Sequence, residues 1–161
     1  MSTNEDDYVS LSLKKIFAGL AVIMLLLMGG ALAMFALHMV FNSDGRFGHG
    51  IYWIGGTIVA TLWVCVPNGM MVIHGLSFFS KWNLYNCVFQ LGASLAWLIT
   101  GGLEFWPMHL ISILLPMLCL RVLLGDSYHQ FVEFYYHLQT NRRRERKELK
   151  AEVERLKKSA R

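Results

Sequence analysis

The chain has 161 residues, of which 55% are hydrophobic, and its mean hydropathy is +0.41. This composition is too apolar for an ordinary soluble domain. The formal net charge of +4 is unevenly distributed: residues 142–161 hold ten of the fifteen Lys and Arg with four Glu, whereas the preceding residues are net acidic. Three Cys without a C-x-x-C spacing argue against a disulfide framework or a zinc finger.

The first predicted membrane span occupies residues 16–41, a run without Lys, Arg, Asp or Glu. At a helical rise of about 1.5 Å per residue the run reaches ~39 Å, whereas the apolar core of a bilayer is ~30 Å thick. Lys14 and Lys15 directly precede the run, and residues 1–15 form a short polar segment. We therefore expect an anchoring helix with this polar segment on one side of the membrane.

Further long apolar runs follow at residues 51–79, 84–103 and 108–125. The first of these contains Pro67-Asn68-Gly69 past its middle, and proline removes a backbone donor and crowds the preceding turn. This predicts a kink or a break that faces protein, since freed backbone groups find no partner in lipid. The sequence thus predicts an all-α integral membrane protein with a four-helix bundle over residues 16–125.

The positive charges predict the orientation of these spans. Lys14, Lys15, Lys81 and the basic C-terminal segment fall on one side of the membrane, and only Arg46 falls on the other. Because cytoplasmic loops are enriched in Lys and Arg, both termini are expected in the cytoplasm. The expected location is a bacterial inner membrane.

Residues 126–161 are predicted to form an amphipathic cytosolic helix with an aromatic first half and a charged second half. Three interpretations are open: contact with the anionic inner leaflet, contact with an acidic or helical partner, and a solvated helix that provides orientation and solubility. Nucleic acid is not an expected partner, because the aromatic residues precede the cations instead of alternating with them. The predicted contact residues are Arg142, Arg143, Arg144, Arg146, Lys147, Leu149, Val153 and Leu156.

Small residues recur four positions apart in the first three predicted spans. Such pairs let helix backbones approach closely, within one molecule or between the copies of a homo-oligomer. Their repetition favours a compact bundle over separate helices. The pairs are Gly29 and Ala33, Gly56 and Ala60, and Gly92 and Ala96.

Two histidines, two charged residues and one amide are candidates for chemistry. His38 and His109 are expected near the outer face, where facing histidines can ligate a haem iron or a metal, although no ligand-spacing motif is present. The alternative is that they cap loops or bond to backbone carbonyls. Glu104 and Arg121 lie in or beside the last two spans, and Asn68 lies in the predicted break, where many carriers bind substrate. Kinks that serve packing are commoner, and we favour packing for Asn68.

The sequence contains no catalytic motif and no loop long enough for an extramembrane active site. We therefore expect a protein that acts without catalysis and without a cofactor, as an accessory or assembly subunit that docks another membrane protein. Three alternatives remain open: a small oligomeric carrier or channel that uses the Pro67-Asn68-Gly69 break, a redox subunit that holds haem or quinone, and an immunity or exclusion protein.

Overall fold

The computed structural model describes residues 11–41, 49–100 and 106–159. These residues form five helices and no strand, so the all-α prediction is confirmed for them. The helices are α1 (Leu13–Phe41), α2 (His49–His74), α3 (Phe78–Thr100), α4 (Trp106–Leu123) and α5 (Asp126–Ser159).

Three of the described helices are long and apolar enough to cross a membrane: α1, α2 from Tyr52 to His74, and α4. Helix α3 has 23 residues and one basic residue, Lys81. Helix α3 is long enough but not apolar enough to count as a candidate span, because Asn, Gln and Ser side chains lower its mean hydropathy. Composition alone therefore supports fewer spans than the sequence predicts.

The turn between α2 and α3 lies earlier than predicted. Helix α2 ends at His74 and α3 begins at Phe78, so the helix boundaries differ from the predicted span boundaries at Phe79 and Leu84. Gly75 causes the early end: its φ of 66° is the left-handed conformation that glycine adopts without steric penalty, and its N–H donates to the Met71 carbonyl at 2.9 Å. The apolar residues on both sides hide this turn in the sequence.

Helices α1 and α3 pack against each other, and both contact α2 and α4. Val22 and Leu26 of α1 are fully buried together with Cys87 of α3 and Cys119 of α4. The outward surface of the same helices carries large apolar side chains, among them Phe17, Met24, Ile54, Leu62, Leu110 and Leu114. Exposed apolar residues on this scale are typical of a surface that faces lipid or another protein.

Helix α5 crosses the end of this helix core instead of running alongside it. Tyr128 contacts Met71 of α2 (Oη to Sδ, 4.0 Å), and Arg143, about 22 Å further along α5, donates to the His74 carbonyl. Met71 and His74 are only about 5 Å apart along α2. Helix α5 therefore lies at a steep angle to α2, across the end of the core at which α2 finishes.

Candidate functional site

One face of helix α3 is polar and lies toward the interior of the helix core. This polar face consists of Asn83, Asn86, Gln90 and Ser94, which lie three or four residues apart and are all buried. The exposed residues of α3 are predominantly apolar or aromatic: Tyr85, Val88, Phe89, Leu95, Leu98 and Ile99. This arrangement is the reverse of that on a helix at the surface of a water-soluble protein.

Asn83 joins α3 to both α2 and α5. Its side-chain amide exchanges two hydrogen bonds with that of Asn68 on α2, at 2.9 and 3.1 Å. Asn83 Nδ2 also donates to the Tyr128 hydroxyl at 2.9 Å. Asn83 is 0% exposed and Tyr128 1% exposed, so the three residues form a buried network. Burial raises the pKa of Tyr128 to about 12, although the hydrogen bond from Asn83 acts in the opposite direction.

Gln90 joins α3 to α1. Its Nε2 donates to the Leu26 carbonyl at 2.9 Å and to Asn86 Oδ1 at 3.1 Å. A carbonyl can only accept, so Leu26 determines the orientation of the Gln90 amide, which in turn determines that of Asn86. Gln90 Oε1 lies against Gly29, where an added Cβ would overlap it. A larger residue at this position would displace the Gln90 amide, whose Nε2 is held by the Leu26 carbonyl.

Ser94 joins α3 to α4. Its hydroxyl lies 3.0 Å from the Ser112 carbonyl and 2.9 Å from the carbonyl of Gln90 one turn earlier. One turn beyond Ser94, the ring of Trp97 contacts that of His109 on α4, with centroids 4.0 Å apart. The polar face thus bonds to a different neighbouring helix at each level.

A cleft of about 280 Å³ lies beside this polar face, between α1, α2 and α3. It is lined near the middle of all three helices, and its lining is apolar except for Asn86 and Gln90. Asn86 is 3% exposed, and its Nδ2 has no hydrogen-bond partner among the described residues. The otherwise apolar wall of the cleft therefore contains one hydrogen-bond donor, Asn86 Nδ2, without a partner among the described residues.

A basic pocket of about 560 Å³ lies where α5 crosses the end of α2. Two hydrogen bonds connect the helices at this point: Arg143 Nη2 donates to the His74 carbonyl at 2.7 Å, and Gln139 Nε2 donates to the Val72 carbonyl at 3.1 Å. The described lining contains no Asp or Glu. We call this cavity the basic pocket; its polar lining includes His74, Arg142, Arg143 and Arg146, and its apolar lining includes Ile73 and Leu138.

The second half of α5 extends beyond the core. The buried residues of this helix are Tyr128, Phe131 and Val132, whereas every described residue from 142 onward is exposed. The apolar side chains predicted for partner contact lie on this free half, where they share one helix face: Leu149, Val153 and Leu156. We call residues 147–159, which follow the last residue lining the basic pocket, the free half of α5.

One residue of the predicted break, Asn68, takes part in helix packing. Helix α2 continues through Pro67, so the predicted break is absent. Asn68 is buried and uses its amide on Asn83 and on the Val64 carbonyl, at 2.8 Å. Gly69 is half-buried, and an added Cβ there would meet no atom. Arg121 is exposed on α4, and Glu104 lies outside the described residues.

The two candidate histidines belong to an aromatic cluster at the end of the core opposite α5. His38 is buried against Tyr52, with ring centroids 4.8 Å apart, and His109 is buried against Trp97. Phe35 lies between Trp53 and Trp97, at centroid distances of 6.0 and 5.2 Å. In the described ranges, no group of three or more His, Cys, Asp or Glu is arranged to hold a metal ion.

The predicted small-residue pairs differ in their surroundings. Gly29 and Ala33 are buried, and an added Cβ on Gly56 would overlap the methyl group of Met34. Gly92 is exposed, and its added Cβ would meet nothing, so the packing contact predicted for it is not made within this chain. Ala60 and Ala96 are half-buried. Gly19 was not predicted as a packing position; it lies under the ring of Phe131 and allows α5 to approach α1.

No family model, no curated protein and no solved structure matches this chain.

Proposed function

We propose that the chain is a four-span integral membrane protein in which α1 to α4 form a membrane bundle. Helix α3 is the span that composition does not support. Its 23 residues rise about 34 Å, enough for a bilayer core of ~30 Å. Its polar groups face other helices and its outward residues are largely apolar, which is the arrangement that lipid requires of a spanning helix.

We propose a bacterial inner membrane as the location, with both termini in the cytoplasm; the distribution of charge supports this orientation. Lys14 lies in the first turn of α1 and Lys81 in the first turn of α3. Both turns are at the end of the core that α5 crosses. The basic residues of α5 lie beyond the same end. The positive-inside rule assigns such an end to the cytoplasm.

Within this topology, we propose that the protein acts without catalysis as an accessory or assembly subunit that docks a second membrane protein. One observation carries this proposal: α5 is fixed to the core at its first half and free at its second half. Because Tyr128 and Arg143 hold the first half, the free half is presented in a defined position at the membrane surface. A basic helix with an apolar stripe suits an acidic, amphipathic segment of a partner.

A quantitative pull-down of the tagged full-length chain from membranes in mild detergent tests the proposal. The wild-type chain should recover a membrane protein at a reproducible ratio. The variant Leu149→Ser, Val153→Ser, Leu156→Ser removes the apolar stripe from the free half without changing its charge. We expect recovery of the partner to fall about tenfold or more, because apolar anchors contribute most of the binding energy in such helix contacts.

A matched control places three serines on the opposite face of the same helix: Ala151→Ser, Glu154→Ser and Lys158→Ser. These substitutions also leave the net charge unchanged, and recovery of the partner should stay at the wild-type level. Recovery of the wild-type chain alone, or equal recovery with both triple variants, would contradict the proposed docking function.

A further inference from the structure

We propose that the basic pocket binds the phosphate-containing headgroup of an anionic phospholipid. The inference rests on the four-span topology proposed above, which places the end of α2 at the level of the cytoplasmic headgroups. The headgroup would lie next to the point at which the free half of α5 leaves the core. Three observations carry it: the charge of the pocket, the engagement of Arg143, and an apolar path that leads away along α2.

The charge of the pocket is positive and uncompensated. Arg142 and Arg146 are one turn apart on α5, and like charges at this spacing repel each other. No ion pair involving either residue is formed within the described ranges, and no carboxylate in those ranges lines the cavity. A phosphate group accepts hydrogen bonds from several guanidinium groups at once and would remove this repulsion.

The hydrogen bond of Arg143 prepares the pocket for an anion. The last carbonyls of a helix carry a partial negative charge, which would repel a phosphate at the end of α2. Arg143 offsets that charge by donating to the His74 carbonyl at 2.7 Å. Arg143 is therefore a positioning residue that also holds α5 against α2, and Arg142 and Arg146 remain for the ligand.

An apolar path distinguishes a lipid from a free phosphate ion. Ile73 lines the pocket and is exposed, and Val66, Leu62 and Val59 follow it on the same exposed face of α2. From Ile73 to Val59 the path covers about 21 Å, more than the ~15 Å of apolar thickness in one leaflet. An acyl chain attached to a phosphate in the pocket can lie along this path.

Native mass spectrometry of the purified full-length chain in detergent tests the proposal. The chain is incubated with equal amounts of phosphatidylglycerol and phosphatidylcholine that have identical acyl chains. We expect the wild-type chain to retain phosphatidylglycerol in preference to phosphatidylcholine. The variant Arg142→Gln, Arg146→Gln should retain about tenfold less phosphatidylglycerol, because two cations close to the headgroup are removed.

The matched control is Arg144→Gln, Arg155→Gln, which removes two positive charges from the opposite face of the same helix. Arg144 is exposed and lies 3.9 Å from Glu148, away from the pocket. This variant should retain phosphatidylglycerol like the wild-type chain. A large excess of inorganic phosphate should not displace the lipid, because phosphate lacks the acyl contact.

Three outcomes would overturn the proposal: a wild-type chain without preference for phosphatidylglycerol, equal losses in the two double variants, and displacement of the lipid by inorganic phosphate. The first of these needs no variant and so does not depend on variant folding. The measurement uses the purified chain without a partner. A failed pull-down with normal lipid retention would therefore reject the docking function and leave the headgroup site standing.

Discussion

The substitution Asn83→Leu is predicted to weaken the attachment of α3 to two helices at once. It removes the two amide–amide hydrogen bonds with Asn68 and the bond to the Tyr128 hydroxyl. Hydrogen bonds between membrane helices contribute about 0.6 kcal/mol each on average, so the three bonds together contribute ~2 kcal/mol. The Tyr128 hydroxyl loses the donor from Asn83 and keeps only its contact with Met71, and part of the Asn68 amide loses its partner, which adds about 1–2 kcal/mol. We therefore expect the free energy of unfolding to fall by about 3–4 kcal/mol.

The double variant Asn68→Leu, Asn83→Leu provides a stricter test than the single one. Replacing both amides by apolar side chains leaves no unpaired amide at either position, and only the Tyr128 hydroxyl loses its hydrogen bond from Asn83. The loss in the free energy of unfolding should therefore be smaller for the double variant than the sum of the losses for the two single variants. We expect a coupling energy of about 1 kcal/mol or more. The control is Thr100→Val, which removes one exposed hydrogen bond within α3 and should change stability by less than about 0.5 kcal/mol.

Unfolding of the detergent-solubilised chain by increasing mole fractions of dodecyl sulfate measures these differences. The five Trp residues of the chain supply the fluorescence signal. A loss below about 0.5 kcal/mol for Asn83→Leu would refute the assigned network, since such a loss is typical of a surface position. Strict additivity of the two asparagine substitutions would refute their direct contact.

Two further predictions concern Tyr128 and the glycines. Burial raises the pKa of Tyr128 to about 12, above the ordinary tyrosine value of about 10, so its contribution to stability is complete below pH ~10. That contribution is lost as the pH rises toward ~12, by up to about 3 kcal/mol. Unfolding titrations across this range should show the decline in the wild-type chain and less of it in Tyr128→Phe; identical profiles would contradict the assignment. Gly29→Ala should destabilise the chain by about 1–3 kcal/mol, because its Cβ overlaps Gln90, whereas Gly92→Ala should be neutral or slightly stabilising. The same unfolding assay compares the two, and equal effects would show that α1 and α3 do not meet at Gly29.

The sequence could predict those features that depend on neighbouring residues. The apolar runs predicted helices, and the shift to charged residues after Gly125 predicted a separate C-terminal helix, because both depend on residues a few positions apart. The end of α2 at His74 was not predicted, since Gly75 lies within an apolar run. The turn requires a residue with a left-handed backbone conformation, and the apolar composition of the run gives no signal for that conformation.

The candidate site depended on contacts that are distant in sequence. The partners of Asn83 lie 15 and 45 residues away, so the packing role favoured for Asn68 could be expected while its partner could not. The small-residue pattern likewise does not specify which face of a helix is inward: Gly29 is buried and Gly92 is exposed. The spacing of Asn83, Asn86, Gln90 and Ser94 was the available signal for the inward face of α3, because unpaired polar groups avoid lipid.

The polar face of α3 also explains how the position of α5 depends on the core. In the proposed membrane bundle, apolar side chains supply little net force between helices, so directional hydrogen bonds and close packing determine their register. Gln90 and Ser94 fix α3 against α1 and α4, and Asn83 extends the same register to Tyr128. A shift of α3 by one turn would break all three connections together. Because Tyr128 begins the segment that continues to Arg143, the position of the basic pocket follows from the register of α3.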